Sequence, residues 1–412
     1  MGKILKYKLL VLVTSLFLQA CSDTSTTQNS VQPDTIDDEI PVAVLCDSDV
    51  IISAFSPVTA IAATTSPTFV TGAHAIITGD GNGQFVSLND LNPVSGADVT
   101  VVTYGNYFYV IGQQFSGNSI TKYAIDNPQD VIWQYSVNEP AATVASNPHD
   151  MIFVSETKAY VLRYNKTRAW IVNPSATNEA NFKIGELDLS AYATADGLPE
   201  MDAGLIVDGK LYILLQRLEG VAQQVIHDAY IAVFDTNTDT EIDVNITGDA
   251  FKGIPLTFRN PTANTYVSEN NKLYVQSSGS FFPVEYVGGI EVIDLNDYSS
   301  TIILDDGDDV SHPYGLITEL AVISPERLYF VGYESFDVNT LYVMNTQTDE
   351  ISAMNVPQLI DGQIANLAID PQGLLWVSDN ANATVRILNP LSCEEIDAVS
   401  TNLNPAKIVF AQ

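Results

Sequence analysis

The chain has 412 residues, of which 46% are hydrophobic and only 16% are charged, a composition typical of a folded globular protein. Asp and Glu number 50 and Lys and Arg 17, which gives a formal net charge of −33. This balance argues against nucleic-acid binding, because phosphate contacts need clustered Lys and Arg. The acidic residues are spread along the chain, as expected for a surface that keeps a protein soluble.

The N-terminus has the pattern of an export signal. Three lysines precede an apolar run at residues 9–18, which is too short to span a bilayer as a stable helix. The following Leu18-Gln19-Ala20-Cys21 resembles the lipobox of bacterial lipoproteins. That resemblance implies that residues 1–20 are a signal peptide removed on export and that Cys21 carries the lipid. An ordinary cleaved signal is the alternative.

The segment after the lipobox predicts a tether and a destination. Residue Ser22 is not Asp, and by resemblance to enterobacterial sorting this favours the outer membrane. Residues 22–40 are rich in Ser, Thr, Gln and Asp and poor in large apolar side chains. We therefore expect residues 21–45 to be a lipidated cysteine and flexible tether, with a folded domain at 46–412. The lipid would hold that domain on the periplasmic or the cell-surface side of the outer membrane of a Gram-negative bacterium.

Two further cysteines remain, Cys46 and Cys393. Exported proteins meet an oxidising compartment, so we expect a disulfide between them that joins the two ends of the folded domain. Two buried free thiols are the alternative.

Short runs of Val, Ile, Tyr and Phe recur between clusters of Asn, Asp, Gly and Pro, which is typical of an all-β protein. Each repeat has a first strand after a polar turn and a second strand about eight residues on. The second strands carry an aromatic residue at an equivalent place: Tyr109, Tyr160, Tyr212, Tyr274, Tyr329 and Trp376. A third strand ending in Asp or Asn follows, and then a weaker fourth.

First strands begin near residues 98, 149, 202, 264, 316, 364 and 406. No chain remains to complete the last unit. Residues 74–88, in turn, hold a second strand from His74 to Thr78 and a third from Gln84 to Leu88, with no first strand. A C-terminal strand that completes an N-terminal unit closes the ring of a β-propeller and removes exposed sheet edges. The sequence therefore predicts seven four-stranded blades.

The pattern of a second strand, a turn and Ile-x-Val-Ile-Asp, clearest from Leu273 to Asp294, resembles seven-bladed propellers of the YncE and YVTN-repeat type. The resemblance covers roughly residues 70–412. The literal Tyr-Val-Thr-Asn motif is absent. The resemblance implies a fold more than a function.

In a propeller the first strands begin around the mouth of the central channel, where ligand sites are usual. The residues at these starts predict a binding surface made of His149, Asp150, Asp202, Arg259, His312 and Tyr314. The alternative is that they cap backbone groups in the Asn-Pro and His-Pro turns that open each blade.

Two other segments could bind a ligand. The long loop from Gln276 to Gly288 holds Phe281, Phe282 and Tyr286, which form a binding surface or fold back over their own blade. A second segment is a dense acidic turn that either ligates Ca²⁺ or is simply solvated. Its carboxylates are Asp305, Asp306, Asp308 and Asp309.

Recognisable motifs of hydrolases, metalloproteases and phosphate-binding loops are absent from the sequence. We therefore favour a non-enzymatic role in capturing a small molecule or docking onto an envelope protein. By resemblance to other surface propeller lipoproteins, a TonB-dependent transporter is the expected partner. By resemblance to Ca²⁺-dependent lactonases, which are six-bladed propellers, the alternative is a lactonase-like hydrolase or lyase at the channel. That resemblance implies Ca²⁺ as the cofactor, with oxygen ligands from Asp202, Asn260 and Asn366, although the predicted blade count differs.

Overall fold

A computed structural model describes residues 45–411 apart from 53, 221, 357–358 and 360–362. The predicted signal peptide, Cys21 and nearly all of the predicted tether lie outside the described residues. Within the described part of the chain, no helix is long and apolar enough to cross a membrane.

The described chain forms seven antiparallel four-stranded blades, which confirms the predicted seven-bladed β-propeller. From the channel outward, blade 1 consists of Asn404–Phe410, Pro57–Thr65, Thr71–Asp80 and Phe85–Ser95. Blade 2 consists of Val99–Tyr104, Tyr107–Gly112, Ser119–Ala124 and Asn127–Ser136. Blade 3 consists of Pro148–Ser155, Lys158–Arg163, Arg168–Val172 and Lys183–Asp188. Blade 4 consists of Met201–Val207, Lys210–Leu215, Tyr230–Asp235 and Thr240–Glu241.

The remaining blades have the same order. Blade 5 consists of Pro261–Val267, Lys272–Ser277, Gly289–Asp294 and Ser300–Asp305. Blade 6 consists of Leu316–Ser324, Arg327–Ser335, Val338–Asn345 and Glu350–Ala353. Blade 7 consists of Ile364–Ile369, Leu375–Asp379, Thr384–Leu388 and Glu395–Ser400. The short strand Ile254–Pro255 pairs with the third strand of blade 4, and Ser280–Phe281 pairs with Val284–Glu285 in a small hairpin. Short 3-10 turns occur at Glu179–Asn181, Ser190–Tyr192 and Asn380–Asn382.

The core follows from the two-residue period of the strands. In the second strand of blade 3, Ala159 and Val161 pack toward blade 2. The intervening Tyr160 and Leu162 pack toward blade 4. The same alternation elsewhere gives seven apolar clusters, one between each pair of adjacent blades. Both faces of the middle strands are therefore buried, which explains their nearly continuous hydrophobic sequences.

The C-terminal strand closes the ring as predicted, but the assignment of strands in blade 1 was wrong. Strand Asn404–Phe410 pairs with Pro57–Thr65, and Ile408 lies opposite Ala62. The strand containing His74 is therefore third from the channel, and Phe85–Ser95 is fourth. The missed strand contains three Ala among its nine residues, and Ala has a weaker strand preference than Val, Ile or Tyr. Its small side chains are buried in the apolar clusters on both sides of blade 1.

The connections define two faces of the ring. The top face holds the starts of the inner strands and the loops between second and third strands, and the bottom face holds the other turns. The predicted disulfide between Cys46 and Cys393 is present, with a Cα–Cα distance of 5.3 Å. It lies on the bottom face, where Asp47 N donates to Leu391 O at 2.9 Å. The first described residues are thus fixed to blade 7 before the chain enters blade 1.

Candidate functional site at the channel mouth

The starts of the inner strands share an irregular backbone. In blades 3 to 7 the pairing with the second strand shifts within the first few residues, which marks a β-bulge. Asn147, Glu200 and Asn260, each directly before an inner strand, have positive φ angles of 50°, 46° and 60°. Bulges re-aim side chains and are common beside binding sites. Here they turn polar residues toward the channel.

His149 of blade 3 and Asp202 of blade 4 form a hydrogen-bonded pair. The distance from His149 Nδ1 to Asp202 Oδ1 is 2.6 Å. The imidazole is stacked on Tyr164, with ring centroids 4.1 Å apart. The Tyr164 hydroxyl donates to Gln216 Oε1 at 2.7 Å, and Gln216 Nε2 donates to the Pro261 carbonyl at 3.1 Å. The histidine is therefore fixed by contacts that extend across three blades.

Asp150 lies beside this pair and joins two blades. Its carboxylate accepts hydrogen bonds from Met151 N at 2.8 Å and from Gly204 N in blade 4 at 3.0 Å. Burial raises the pKa of Asp150 to about 6, although these two hydrogen bonds and the nearby Lys407 ammonium act in the opposite direction. Asp150 therefore accepts hydrogen bonds from backbone amides and also lines the channel.

An equivalent arrangement joins blades 6, 7 and 1. Glu319 Oε2 accepts from Asn366 Nδ2 at 3.2 Å and from Leu367 N at 3.4 Å. Asn366 Oδ1 in turn accepts from Ile408 N at 2.9 Å. Burial raises the pKa of Glu319 to about 7, with Lys407 again opposing the shift.

The inner strands enclose a cavity of about 320 Å³ at the channel mouth. Its polar lining comes from Thr100, Gln113, His149, Asp150, Asp202, Thr262 and Lys407. His149, Asp150 and Asp202, three of the candidate binding residues, therefore lie around one cavity.

Two larger cavities adjoin this one. A cavity of about 460 Å³ shares Gln113 with the first and is lined by Phe69 and Phe115. Another, of about 410 Å³, shares Thr262 with the first and is lined by Phe69, Phe281 and Phe336. These four phenylalanines lie in top-face loops of blades 1, 2, 5 and 6 and are 63%, 75%, 44% and 59% exposed in chain order. We call this set the phenylalanine rim.

Three of the predicted residues have contacts away from the 320 Å³ cavity. Arg259 bonds to Asp228 Oδ1 at 3.3 Å and to the Val225 carbonyl. Tyr314 packs edge-on against Phe330 and Tyr342 inside blade 6. His312 bonds through Nδ1 to the Asp308 carbonyl at 2.9 Å.

The three loop aromatics lie in different surroundings. Phe281 belongs to the rim and makes an edge contact with Tyr333, with centroids 5.2 Å apart. Tyr286 instead stacks on His312 at 4.1 Å. Phe282 is 93% exposed and does not line the described cavities.

The carboxylates of the acidic turn are used in local structure. Asp305 Oδ1 accepts from Gly307 N at 2.8 Å, and Asp308 Oδ1 accepts from Val310 N at 2.7 Å. Asp306 is buried and accepts from Gly288 N at 3.0 Å, and burial raises its pKa to about 7. Asp309 lies in the same turn.

Among the described residues, no three His, Cys, Asp or Glu side chains are placed to hold a metal ion. The carboxylates of the acidic turn are not grouped in this way within the described residues. For the oxygen ligands expected at the channel, Asn260 Nδ2 donates to the Gly279 carbonyl at 2.8 Å, and Asn366 is engaged as described above. Asp202 is paired with His149 through Oδ1, so all three side chains already make protein contacts.

Several cavity residues were missed in the sequence, notably Lys407, Thr262, Glu319 and the rest of the phenylalanine rim. A repeated motif could have identified two of them. Asn147-Pro148, Asn260-Pro261 and Asn404-Pro405 each open an inner strand, and one or both of the next two residues line the cavity. By this rule Thr262 and Lys407 occupy places close to those of His149 and Asp150.

No protein-family profile matches the sequence, and no curated protein matches it significantly. The fold resembles a Bacteroides fragilis protein assigned as a 6-phosphogluconolactonase, with TM-score 0.59 and 11% identity over 87% of this chain and 98% of that one. It also resembles a periplasmic gluconolactonase of Pseudomonas aeruginosa, with TM-score 0.57 and 11% identity over 87% and 99% of the two chains. For streptogramin B lyase the TM-score is 0.50 and the identity 13%, over 80% and 92%. These likenesses concern the fold alone, and the chain is a seven-bladed β-propeller whose structural neighbours include gluconolactonase-type proteins.

Proposed function

We propose that the protein is a small-molecule-binding propeller of the cell envelope whose site is the channel mouth. The observation that carries this proposal is the convergence of His149, Asp150, Asp202 and Lys407 on one cavity of about 320 Å³. These residues come from three blades, so the cavity presents donors and acceptors from several directions. Concave sites with a few convergent polar groups are the usual form of ligand sites.

The charge of the lining favours an uncharged polar ligand. Two carboxylates face one ammonium, and Lys407 is the only Lys or Arg among the lining residues. A phosphorylated or carboxylated ligand would need more cationic groups than this lining offers. We therefore expect a neutral molecule with several hydroxyl or carbonyl groups, such as a sugar or a sugar lactone.

The location at the envelope rests on the N-terminal sequence and is supported by the disulfide, which fits an oxidising compartment. A lipid on Cys21 would anchor the propeller to the outer membrane. Capture of a ligand for a TonB-dependent transporter stays a part of this proposal. Labelling cells with radioactive palmitate, with Cys21→Ser as the unlabelled control, tests the anchor.

The binding test uses the full oxidised protein and a panel of neutral sugars, polyols and lactones, measured by calorimetry. Lys407→Met and His149→Gln should weaken binding of a captured compound by at least about tenfold. Lys252→Met is the matched control, because Lys252 is exposed and lies outside the cavity. If both cavity variants bind the compound with native affinity, the site lies elsewhere. The same conclusion follows if Lys252→Met weakens binding as much as the cavity variants do.

One observation favours a second candidate, the hydrolysis of a cyclic ester. Asp202 holds His149 through Nδ1, and Nε2 makes no hydrogen bond within the described residues. A histidine oriented in this way can act as a general base. It would remove a proton from water while the water oxygen bonds to the lactone carbonyl carbon. The ring C–O bond then breaks, and the leaving oxygen takes the proton.

Lactone hydrolysis, followed by proton release, tests this candidate. His149→Gln and Asp202→Asn should each lower kcat by roughly 10²-fold or more, the usual contribution of a general base. Lys252→Met should be unchanged. Hydrolysis rates that equal those of the uncatalysed reaction, or that persist in His149→Gln, would contradict this candidate. Ligand capture would then be the only proposed function that remains.

A further inference from the structure

The cavity of about 410 Å³ at the phenylalanine rim differs in character from the one at His149. Four aromatic side chains line it, and they come from blades 1, 5 and 6: Phe69, Phe281, Tyr333 and Phe336. Glu319 is the only charged residue in its lining. The other polar lining groups are hydroxyls and amides.

Local contacts hold the Phe69 backbone and the Phe281 ring in position. Phe69 has a φ of 55°, a conformation that bulky residues rarely adopt and that costs on the order of 1–2 kcal/mol. A turn holds it there, in which Phe69 N donates to Ser66 O at 2.8 Å and Thr71 N donates to Ser66 Oγ at 3.1 Å. Phe281 lies in the small hairpin and contacts Tyr333 edge-on. Strained backbone positions of this kind cluster at functional sites.

Glu319 supplies a carboxylate with one oxygen unused. Its Oε2 accepts the hydrogen bonds from blade 7, whereas Oε1 makes none within the described part of the chain. Lys407 lowers the pKa of Glu319 through its positive charge, but it lines the channel cavity and not this one. The raised pKa of Glu319 fits a carboxylate removed from water without a cation in direct contact.

We propose that this cavity binds an organic ammonium ion, with its apolar substituents against the four aromatic rings and its charge beside Glu319. Aromatic faces attract a cation through their quadrupole, and this attraction strengthens as the cation is desolvated. A carboxylate and no basic group in the lining make the cavity complementary to positive charge. The proposal goes beyond the proposed function and does not depend on it, because Thr262 is the only residue that the two cavities share.

The experiment compares a cation with its neutral isostere. Choline and 3,3-dimethyl-1-butanol have nearly the same shape and differ in charge. Calorimetry with the full oxidised protein should show choline binding at least about tenfold more tightly. Glu319→Gln should abolish that preference, and its amide oxygen can still accept from Leu367 N. Phe336→Ala should weaken choline binding at least about fivefold.

Phe282→Ala is the matched control, since Phe282 is on the same hairpin but outside the cavity, and its affinity for choline should equal that of the native protein. His149→Gln should leave choline binding unchanged and weaken binding in the first cavity, so the two proposals fail separately. Equal affinity for the two probes, no choline binding up to 10 mM (about −2.7 kcal/mol by the affinity scale), or a preference that survives Glu319→Gln would overturn the ammonium site.

Discussion

The carboxylate of Asp150 accepts a hydrogen bond at 3.0 Å from the backbone amide of Gly204 in the next blade. Glu319 has the same relationship to Leu367, and Asn366 to Ile408. Polar side chains at the channel therefore join neighbouring inner strands where β-bulges interrupt regular pairing. The groups that give the channel mouth its polarity also hold adjacent blades together.

Asp150→Ala and Asp150→Asn separate these two roles. Alanine leaves the Gly204 amide without its acceptor, so we expect a loss of about 1–3 kcal/mol in the free energy of unfolding. Asparagine retains an acceptor oxygen and removes a buried charge, so its loss should be smaller. Urea unfolding at pH 8 measures both. Equal stability of the two variants would show that the interblade bond contributes little.

Glu200 predicts a pH dependence of stability. It is 3% exposed, and burial, together with Asp196, raises its pKa to about 8. Between its ordinary value of 4.5 and pH 8, the folded protein binds this proton more than the unfolded chain does. Its contribution therefore lowers stability as pH rises through that window. Glu200→Gln should recover on the order of 3 kcal/mol at pH 8.5 and almost nothing at pH 4.

Chemical unfolding of the native protein and of Glu200→Gln at about pH 4 to 8.5 measures this difference. This pH range spans the ordinary and the raised pKa of Glu200, as the linkage relation requires. Glu269→Gln serves as an exposed control and should parallel the native curve. Parallel curves for native protein and Glu200→Gln would show that Glu200 is ionised in the folded state.

The disulfide between Cys46 and Cys393 closes a loop with a sequence separation of 347. Its loss should cost about 2–5 kcal/mol, the usual range for a native disulfide. Reductant should therefore lower the Tm of the native protein and leave that of a Cys46→Ser/Cys393→Ser double variant unchanged. A double variant that unfolds at the native temperature would contradict this expectation.

Ring closure predicts a local difference within blade 1. Ile408 is 2% exposed on the closing strand, and Ile408→Ala should cost about 2–5 kcal/mol. Val86, on the outer strand of the same blade, is 66% exposed, so Val86→Ala should change stability by less than about 0.5 kcal/mol. Thermal and urea unfolding of both variants test this. Similar losses would indicate that the closing strand adds no more stability than the outer one.

The fold was largely predictable because the same strand pattern recurs in each blade, so each repeat supports the assignment of the others. The aromatic residue of the second strand recurs in blades 2 to 7, and a lone first strand at the C-terminus requires a partner at the other end of the chain. Strand Pro57–Thr65 was missed because three of its nine residues are Ala, which is depleted in strands. Its burial arises from neighbouring sheets, which a local pattern does not reveal.

The site was predictable in part. His149 and Asp202 come together because inner strands start at one face, a rule that topology alone supplies. The contacts of Arg259 and Tyr314 depend on the paths of individual loops, so their positions could not be deduced. The phenylalanine rim is assembled from single residues in four separate polar loops. Only the three-dimensional structure shows that they border the same opening.

The covalent link between the start of the described chain and blade 7 has a mechanical consequence. A force applied upstream of Cys46 passes through the disulfide to the bottom-face loop that holds Cys393. The segment from Asp47 to the strand Pro57–Thr65 carries none of that load directly. Tension on this end of the chain therefore does not peel the strand that pairs with Asn404–Phe410, and the ring stays shut.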